Sequence, residues 1–229
     1  MKDEAGKDVA LELITHDTIS RITLYKLPKA LHAGTTQLGK VAPISSLQAG
    51  DTLVADITKP EKISKMVSFV SKFNGRILPV TFIRANVDKQ EMLAGSPVYN
   101  EAKELVGLVY QPTVDNSSIY ILPARVIEHL KESAVFGKVF KPCWIGVSMD
   151  HLSDAPRIIG VRPEAPAKVA GLQKGDILIS INGMRVSDYS NVVNAFYYLQ
   201  RNQATEFKIL RGTEVKDIIV TPEVNPIYK

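Results

Sequence analysis

Over residues 1–130, apolar positions cluster in short runs separated by turn formers. The runs fall at residues 9–14, 22–24, 52–57, 67–70, 77–83, 105–110 and 118–122. Gly34, Gly39, Gly50-Asp51, Asn74-Gly75 and Asp115-Asn116 punctuate them. Short strands with such breaks predict an all-β barrel or sandwich. The period then changes. After Pro123, the residues Val126, Ile127 and Leu130 fall three or four apart, the spacing of one helix face. Residues 137–142 carry Gly, Pro and lysine and read as a linker.

Beyond it the pattern is different again. Residues 144–147 and 157–161 read as strands, and residues 165–170 as a short helix with Pro166 early, where a missing N–H costs little. Gly171 stops that helix. Gly175-Asp176 turns into the apolar run 177–181, and Asn182-Gly183 is a hairpin turn signal. Residues 189–200 predict a helix with Val192, Ala195, Phe196 and Leu199 on one face and Ser187 or Asp188 as its cap. Residues 205–210 and 215–221 form a last hairpin. The chain thus divides into a β domain at 1–136, a linker at 137–142 and a second domain at 143–229.

Composition narrows the function classes. The 229 residues carry 28 basic and 24 acidic side chains, net +4, with no long basic run, which argues against a nucleic-acid partner. The single cysteine, Cys143, permits no intrachain disulfide, and no metal-ligand spacing surrounds it, so a buried structural thiol is expected. No cofactor and no metal are expected. No stretch approaches the length of apolar chain that spans a membrane. The charged start, Met1-Lys2-Asp3-Glu4, lacks the apolar centre of a secretion signal.

Candidate chemistry centres on Trp144-Ile145-Gly146-Val147. This aromatic, aliphatic, glycine, aliphatic run resembles the carboxylate-binding loop of the PDZ domains of the HtrA/Deg family, which implies backbone N–H groups converging on a terminal carboxylate, with glycine permitting close approach. Further on come Val161-Arg162-Pro163-Glu164-Ala165-Pro166-Ala167 and the run from Ala170-Gly171-Leu172 through Lys174-Gly175-Asp176 to Asn182-Gly183. Together these resemble the PDZ domain of the HtrA/Deg serine proteases. The resemblance implies peptide or C-terminal tail binding by Trp144, Ile145, Gly146 and Val147, with Val192, Phe196 and Leu199 on the facing helix. Lys141 is either an attractor of the ligand carboxylate or a solvated linker lysine. Gly171 and Asp176 read as fold elements.

The first half resembles the protease barrel of the same family in reduced form. Asp8-Val9-Ala10-Leu11 is similar to the run that carries the aspartate of the catalytic triad. Ala94-Gly95-Ser96-Pro97-Val98-Tyr99-Asn100, followed by Glu104-Leu105-Val106-Gly107-Leu108, is similar to the nucleophile stretch and its next strand. Registered on Pro97 and Asn100, the nucleophile position holds Ala94, which has no oxygen to attack with. The preceding Met92-Leu93 stands where the family has Gly-Asn, a glycine that helps shape the oxyanion hole. His16, His32, His129 and His151 all follow Asp8, whereas the family histidine precedes it, so surface or helix-end roles are expected for them. Ser96 reads as a turn or core hydrogen-bonding residue.

The fold class expected is mostly β: the second trypsin-like barrel only, then an α+β PDZ domain. The function implied is peptide-tail binding by a PDZ domain attached to a proteolytically inactive HtrA-like domain, as scaffold or regulator. The alternative is the C-terminal portion of an HtrA-like endopeptidase whose first barrel lies outside this chain. A third reading is a structural assembly module. Homo-oligomerisation through the barrel is conceivable, and a periplasmic or other extracytoplasmic location is implied by the resemblance alone.

Overall fold

In the computed structural model the described residues are 6, 8–28, 40–54, 63–86 and 94–228, and the chain divides into two compact units. The first comprises residues 1–70 and 81–140, the second residues 71–80 and 141–229.

The first unit opens with a hairpin of β1 (Glu12–Asp17) and β2 (Ile22–Lys26). Its turn is built by Asp17, whose buried carboxylate accepts from the N–H groups of Ile19 and Ser20 and from the Ser20 hydroxyl. A short polar side chain satisfying its own turn is what makes Asp a turn former. The expected strand at 9–14 therefore sits three residues later.

Six strands follow: β3 (Thr52–Val54), β4 (Ile63–Phe73), β5 (Arg76–Asn86), β6 (Pro97–Asn100), β7 (Leu105–Pro112) and β8 (Ser118–Pro123). They close into a barrel in the order β3-β4-β5-β8-β7-β6. Closure removes the exposed edges an open sheet would offer to other chains. Leu53, Ile83, Val98, Val106, Val109, Ile119 and Ile121 fill the interior. The β4–β5 hairpin is longer than the apolar runs at 67–70 and 77–83 suggested. Asn74 and Gly75 both take positive φ (47° and 74°), a two-residue turn whose twist matches the flanking strands and lets pairing run to the tip. The part of the expected 52–57 strand beyond Val54 lies outside the described residues.

Helix α1 (Arg125–Ser133) buries Val126, His129 and Leu130. Ile127, expected on that face, is only half-buried, and His129, expected at the surface, takes its place. The residues at i, i+3 and i+4 share a face, and His129 meets the ring of Phe140 edge-on at 5.2 Å. Phe140 belongs to the stretch read as a linker. The His16 N–H donates to Lys138 O at 2.9 Å, and the Phe140 N–H donates back to His16 O at 2.8 Å. Residues 138–140 are thus tied to β1, and the second unit begins at Lys141.

The second unit contains β9 (Cys143–Trp144), β10 (Val147–Met149), β11 (Ile158–Val161), α2 (Pro166–Val169), β12 (Ile177–Ile181), β13 (Met184–Arg185), α3 (Tyr189–Tyr197), β14 (Thr205–Arg211), β15 (Glu214–Val220) and β16 (Glu223–Val224). The main sheet runs β13-β12-β14-β15, β10 pairs with β11, and β9 pairs with β16. Ile158, Leu172, Leu178, Val192, Leu199, Phe207 and Ile209 form its core. Asp188 caps α3 by accepting from the Asn191 N–H at 2.9 Å. The tip of the β4–β5 hairpin is counted in this unit: Ser190 Oγ lies 3.1 Å from Ser71 Oγ, and Asn194 Nδ2 donates to Pro79 O at 3.5 Å.

Asp176 is 1% exposed and sits in the turn entering β12. It accepts from Arg211 Nε and Nη2, both at 2.8 Å, and from the Gln173 N–H at 2.9 Å. The same guanidinium reaches Gly171 O at 2.8 Å. Asp176 therefore joins three segments of the fold, which is the structural role expected of it.

Candidate peptide-binding site

The protease-like positions of the first unit do not assemble a catalytic constellation among the described residues. Ala94 lies in an exposed turn before β6, held beside β7 by Gly95 N–H to Val109 O (2.7 Å) and Val109 N–H to Ser96 O (2.8 Å). Asp8 is exposed. His16 Nδ1 contacts Thr23 Oγ1 at 2.9 Å, His129 is part of the α1 packing face, and His151 lies in the second unit. Met92, Leu93 and His32 lie outside the described residues.

The second unit offers a different kind of site. Trp144 ends β9, where it is paired with Glu223 of β16. The strand read at 144–147 is thus split, with Ile145 and Gly146 a loop between β9 and β10, and the partner strand at Glu223–Val224 had no strand signal in the sequence. Ile145 then turns inward, 2% exposed, and its carbonyl accepts from the Ala167 N–H at 2.9 Å. Gly146 follows with φ +82° and is buried. Its carbonyl accepts from the Arg162 N–H at 2.8 Å. A Cβ added at Gly146 would stand 2.2 Å from the Ala165 Cβ and 3.1–3.2 Å from the Trp144 ring. Only glycine fits, because the left-handed backbone and the crowding act together.

Both carbonyls of this loop are therefore engaged by the chain, whereas the N–H groups of Ile145 and Gly146 donate to no other described residue. Two consecutive buried N–H groups without a partner are uncommon and costly. Successive N–H groups without a protein acceptor, at a left-handed glycine, are the kind of backbone feature that can take an anion. The loop leads directly into β10. That strand pairs with β11 on one side only (Val147 opposite Val161, Ser148 opposite Gly160), so its other edge is open to strand addition among the described residues.

Helix α3 packs beside β9. Val147 and Met149 of β10 and Phe196 of α3 are partly buried and pack on the same core, forming its accessible margin. At the far end of β10 the His151 ring lies 6.3 Å from the Tyr189 ring that starts α3. Trp144, Ile145, Gly146 and Val147 are contiguous in this loop, and Val147 and Phe196 are partly buried against the core that contains Ile145, Val192 and Leu199. Val192 and Leu199 are the more deeply buried of the predicted helix positions. These are 0% and 2% exposed and belong to the core, with Phe207 and Ile209. Along α3 the half-buried positions that keep some accessible surface are Tyr189, Asn191, Val193 and Phe196.

Cys143 sits beside Trp144. Burial pushes its thiol up to about 11 against a smaller pull from Arg201, so it is protonated and unreactive at neutral pH.

Residues 143–221 match the family model of the PDZ domain. A DegP-like periplasmic serine endoprotease of Marinomonas sp. is 26% identical over 176 residues, covering 66% of this chain and 37% of the relative. Another, of Buchnera aphidicola, is 24% identical over 246 residues, covering 98% of this chain and 50% of the relative. Among solved structures, the HtrA-type protease AlgW with a tripeptide superposes with a TM-score of 0.60 at 16% identity, over 98% of this chain and 80% of that one. At that identity the likeness is one of fold.

The architecture is a trypsin-like barrel followed by a PDZ domain, in a mostly β chain. The chain is HtrA-like, similar along its length to the DegP-like endoproteases, and it spans half or less of the length of the two curated relatives.

Proposed function

We propose that this chain holds the C-terminal tail of a peptide or protein in its PDZ groove and carries out no serine-protease chemistry of its own, acting as a scaffold or regulator. The observation that carries the reading is the pair of buried, unpartnered N–H groups at Ile145 and Gly146, opening onto the free edge of β10. A terminal carboxylate supplies the acceptors that this loop lacks, and the residues before it extend the β10–β11 sheet. Val147 and Phe196 supply apolar surface for the last side chain, so an aliphatic or aromatic terminal residue is preferred. The absence of proteolysis rests on Ala94 at the nucleophile position, since acyl-enzyme formation needs a side-chain nucleophile. By extension from the periplasmic relatives, the proposal places the chain outside the cytoplasm, with self-association through the barrel.

A second reading treats the chain as the C-terminal portion of an HtrA-like endopeptidase. The longer relatives favour it, and Ala94 opposes it. Incubation with labelled unfolded casein separates the two. No turnover is expected, and Ala94→Ser should also give none, because a serine without its base and oxyanion donors is a weak nucleophile. Turnover of casein by the chain that a serine-directed phosphonate abolishes would establish the second reading instead.

A further inference from the structure

We propose that Asn74, at the tip of the β4–β5 hairpin, is a site of spontaneous covalent modification, losing its side-chain amide to become aspartate or isoaspartate, while hydrogen bonds protect Asn182 from the same reaction. The sequence holds two Asn-Gly pairs, Asn74-Gly75 and Asn182-Gly183, and each forms the two-residue turn of a hairpin. Their backbones match: φ is 47° and 74° at the first pair and 45° and 75° at the second. All four residues are exposed, and a Cβ on either glycine would meet nothing within 4 Å. What differs is the hold on the asparagine. Asn182 Oδ1 accepts from the Glu206 N–H at 2.9 Å, and the Asn182 N–H donates to Glu206 O at 2.9 Å. Its side chain and main chain are both tied to β14. The Asn74 side chain makes no hydrogen bond among the described residues.

The reaction needs no reagent but water. The Gly75 nitrogen gives its proton to solvent base and bonds to Asn74 Cγ, and the side-chain nitrogen leaves as ammonia. A following glycine favours this step because no Cβ obstructs the approach. Water then opens the five-membered succinimide. Cleavage at Cγ leaves aspartate, and cleavage at the main-chain carbonyl leaves isoaspartate. The rate follows how often the turn opens far enough for nitrogen and Cγ to meet. At Asn74 fraying of the hairpin tip suffices. Asn182 must also give up two hydrogen bonds, each of which makes opening several-fold rarer. Either product puts a carboxylate at a tip flanked by exposed Lys72 and Arg76. Isoaspartate also adds a main-chain carbon, which a two-residue turn cannot absorb without shifting the pairing of β4 and β5.

The experiment incubates the full chain in mildly alkaline buffer, folded and in denaturant, and follows both sites by peptide mapping with mass spectrometry. In the folded chain Asn74 should convert about tenfold faster than Asn182 or more, the factor set by two net hydrogen bonds. In denaturant the two rates should converge, because both bonds are gone. Equal rates in the folded chain, or faster loss at Asn182, would overturn the proposal. A difference of the same size that persists in denaturant would overturn it too, since it would then come from the preceding residues, Phe73 and Ile181, and not from the fold.

Discussion

Gly146→Ala is expected to abolish tail binding and to destabilise the PDZ domain by about 3 kcal/mol, the sum of a left-handed backbone imposed on a side chain and an overpacked contact. The added Cβ would fall 2.2 Å from the Ala165 Cβ, and that atom cannot rotate away because Ala165 is 2% exposed and its neighbour Ala167 is bonded to Ile145 O. Relief has to come from the loop itself, which carries the Ile145 and Gly146 N–H groups. The double variant Gly146→Ala with Ala165→Gly removes the closest contact and leaves only the backbone strain and the tighter approach to Trp144. It should regain part of the stability and part of the binding. Thermal unfolding and peptide titration on the two variants check this. Full binding by Gly146→Ala would show that the loop is looser than the structure has it.

Asp176→Asn should lower the stability of the same domain by about 2–3 kcal/mol, because removing one partner of a buried pair leaves the other charge uncompensated. The figure is set below that of a fully buried pair because Arg211 keeps 29% of its side chain in solvent. The pair also has a pH signature. Burial pushes the Asp176 carboxyl up, but hydrogen bonds from Arg211 and the Gln173 N–H and the charges of Arg211 and Lys216 outweigh it, so the group lies below its usual 3.8. A carboxyl depressed on folding contributes stability that is complete above its unfolded value and is lost as pH falls through its folded one. The gap between wild type and Asp176→Asn in denaturant titrations should therefore be constant near neutrality and close below pH 3.8. A gap that persists unchanged into acid would mean that the aspartate acts through shape and not through charge.

Much of the PDZ domain was legible because its turns have demanding chemistry. Gly146 at positive φ, Asn182-Gly183 between β12 and β13, and Asp188 ahead of α3 each answer a local requirement that few residues meet. The division of labour on α3 was not legible. Apolar residues occupy the whole inward side of the helix, so periodicity alone did not separate fully buried Val192 and Leu199 from half-buried Phe196. Pairings between distant segments were equally hidden. Nothing local in residues 138–140 announces that they lie along His16, and nothing in Glu223-Val224 announces that they hold Trp144 in place. In the barrel, the β4–β5 hairpin carries polar pairs at Ser64-Lys65 and Ser71-Lys72 and polar residues around its turn, so hydrophobic runs marked only part of each strand. The protease resemblance put the nucleophile position at Ala94, which lies in an exposed turn before β6, and an alanine there carries no structural signal of its own.

The claim that the unpartnered N–H groups of Ile145 and Gly146 receive a terminal carboxylate is tested most directly by calorimetric titration of the full chain with one short peptide in free-acid and amidated forms. Short tails bury little surface and must be ordered on binding, so the free acid should bind with Kd on the order of micromolar. Amidation removes the charge and one acceptor and should weaken binding by about tenfold or more, since charge-assisted hydrogen bonds are the stronger kind. Equal binding of the two forms would contradict the account.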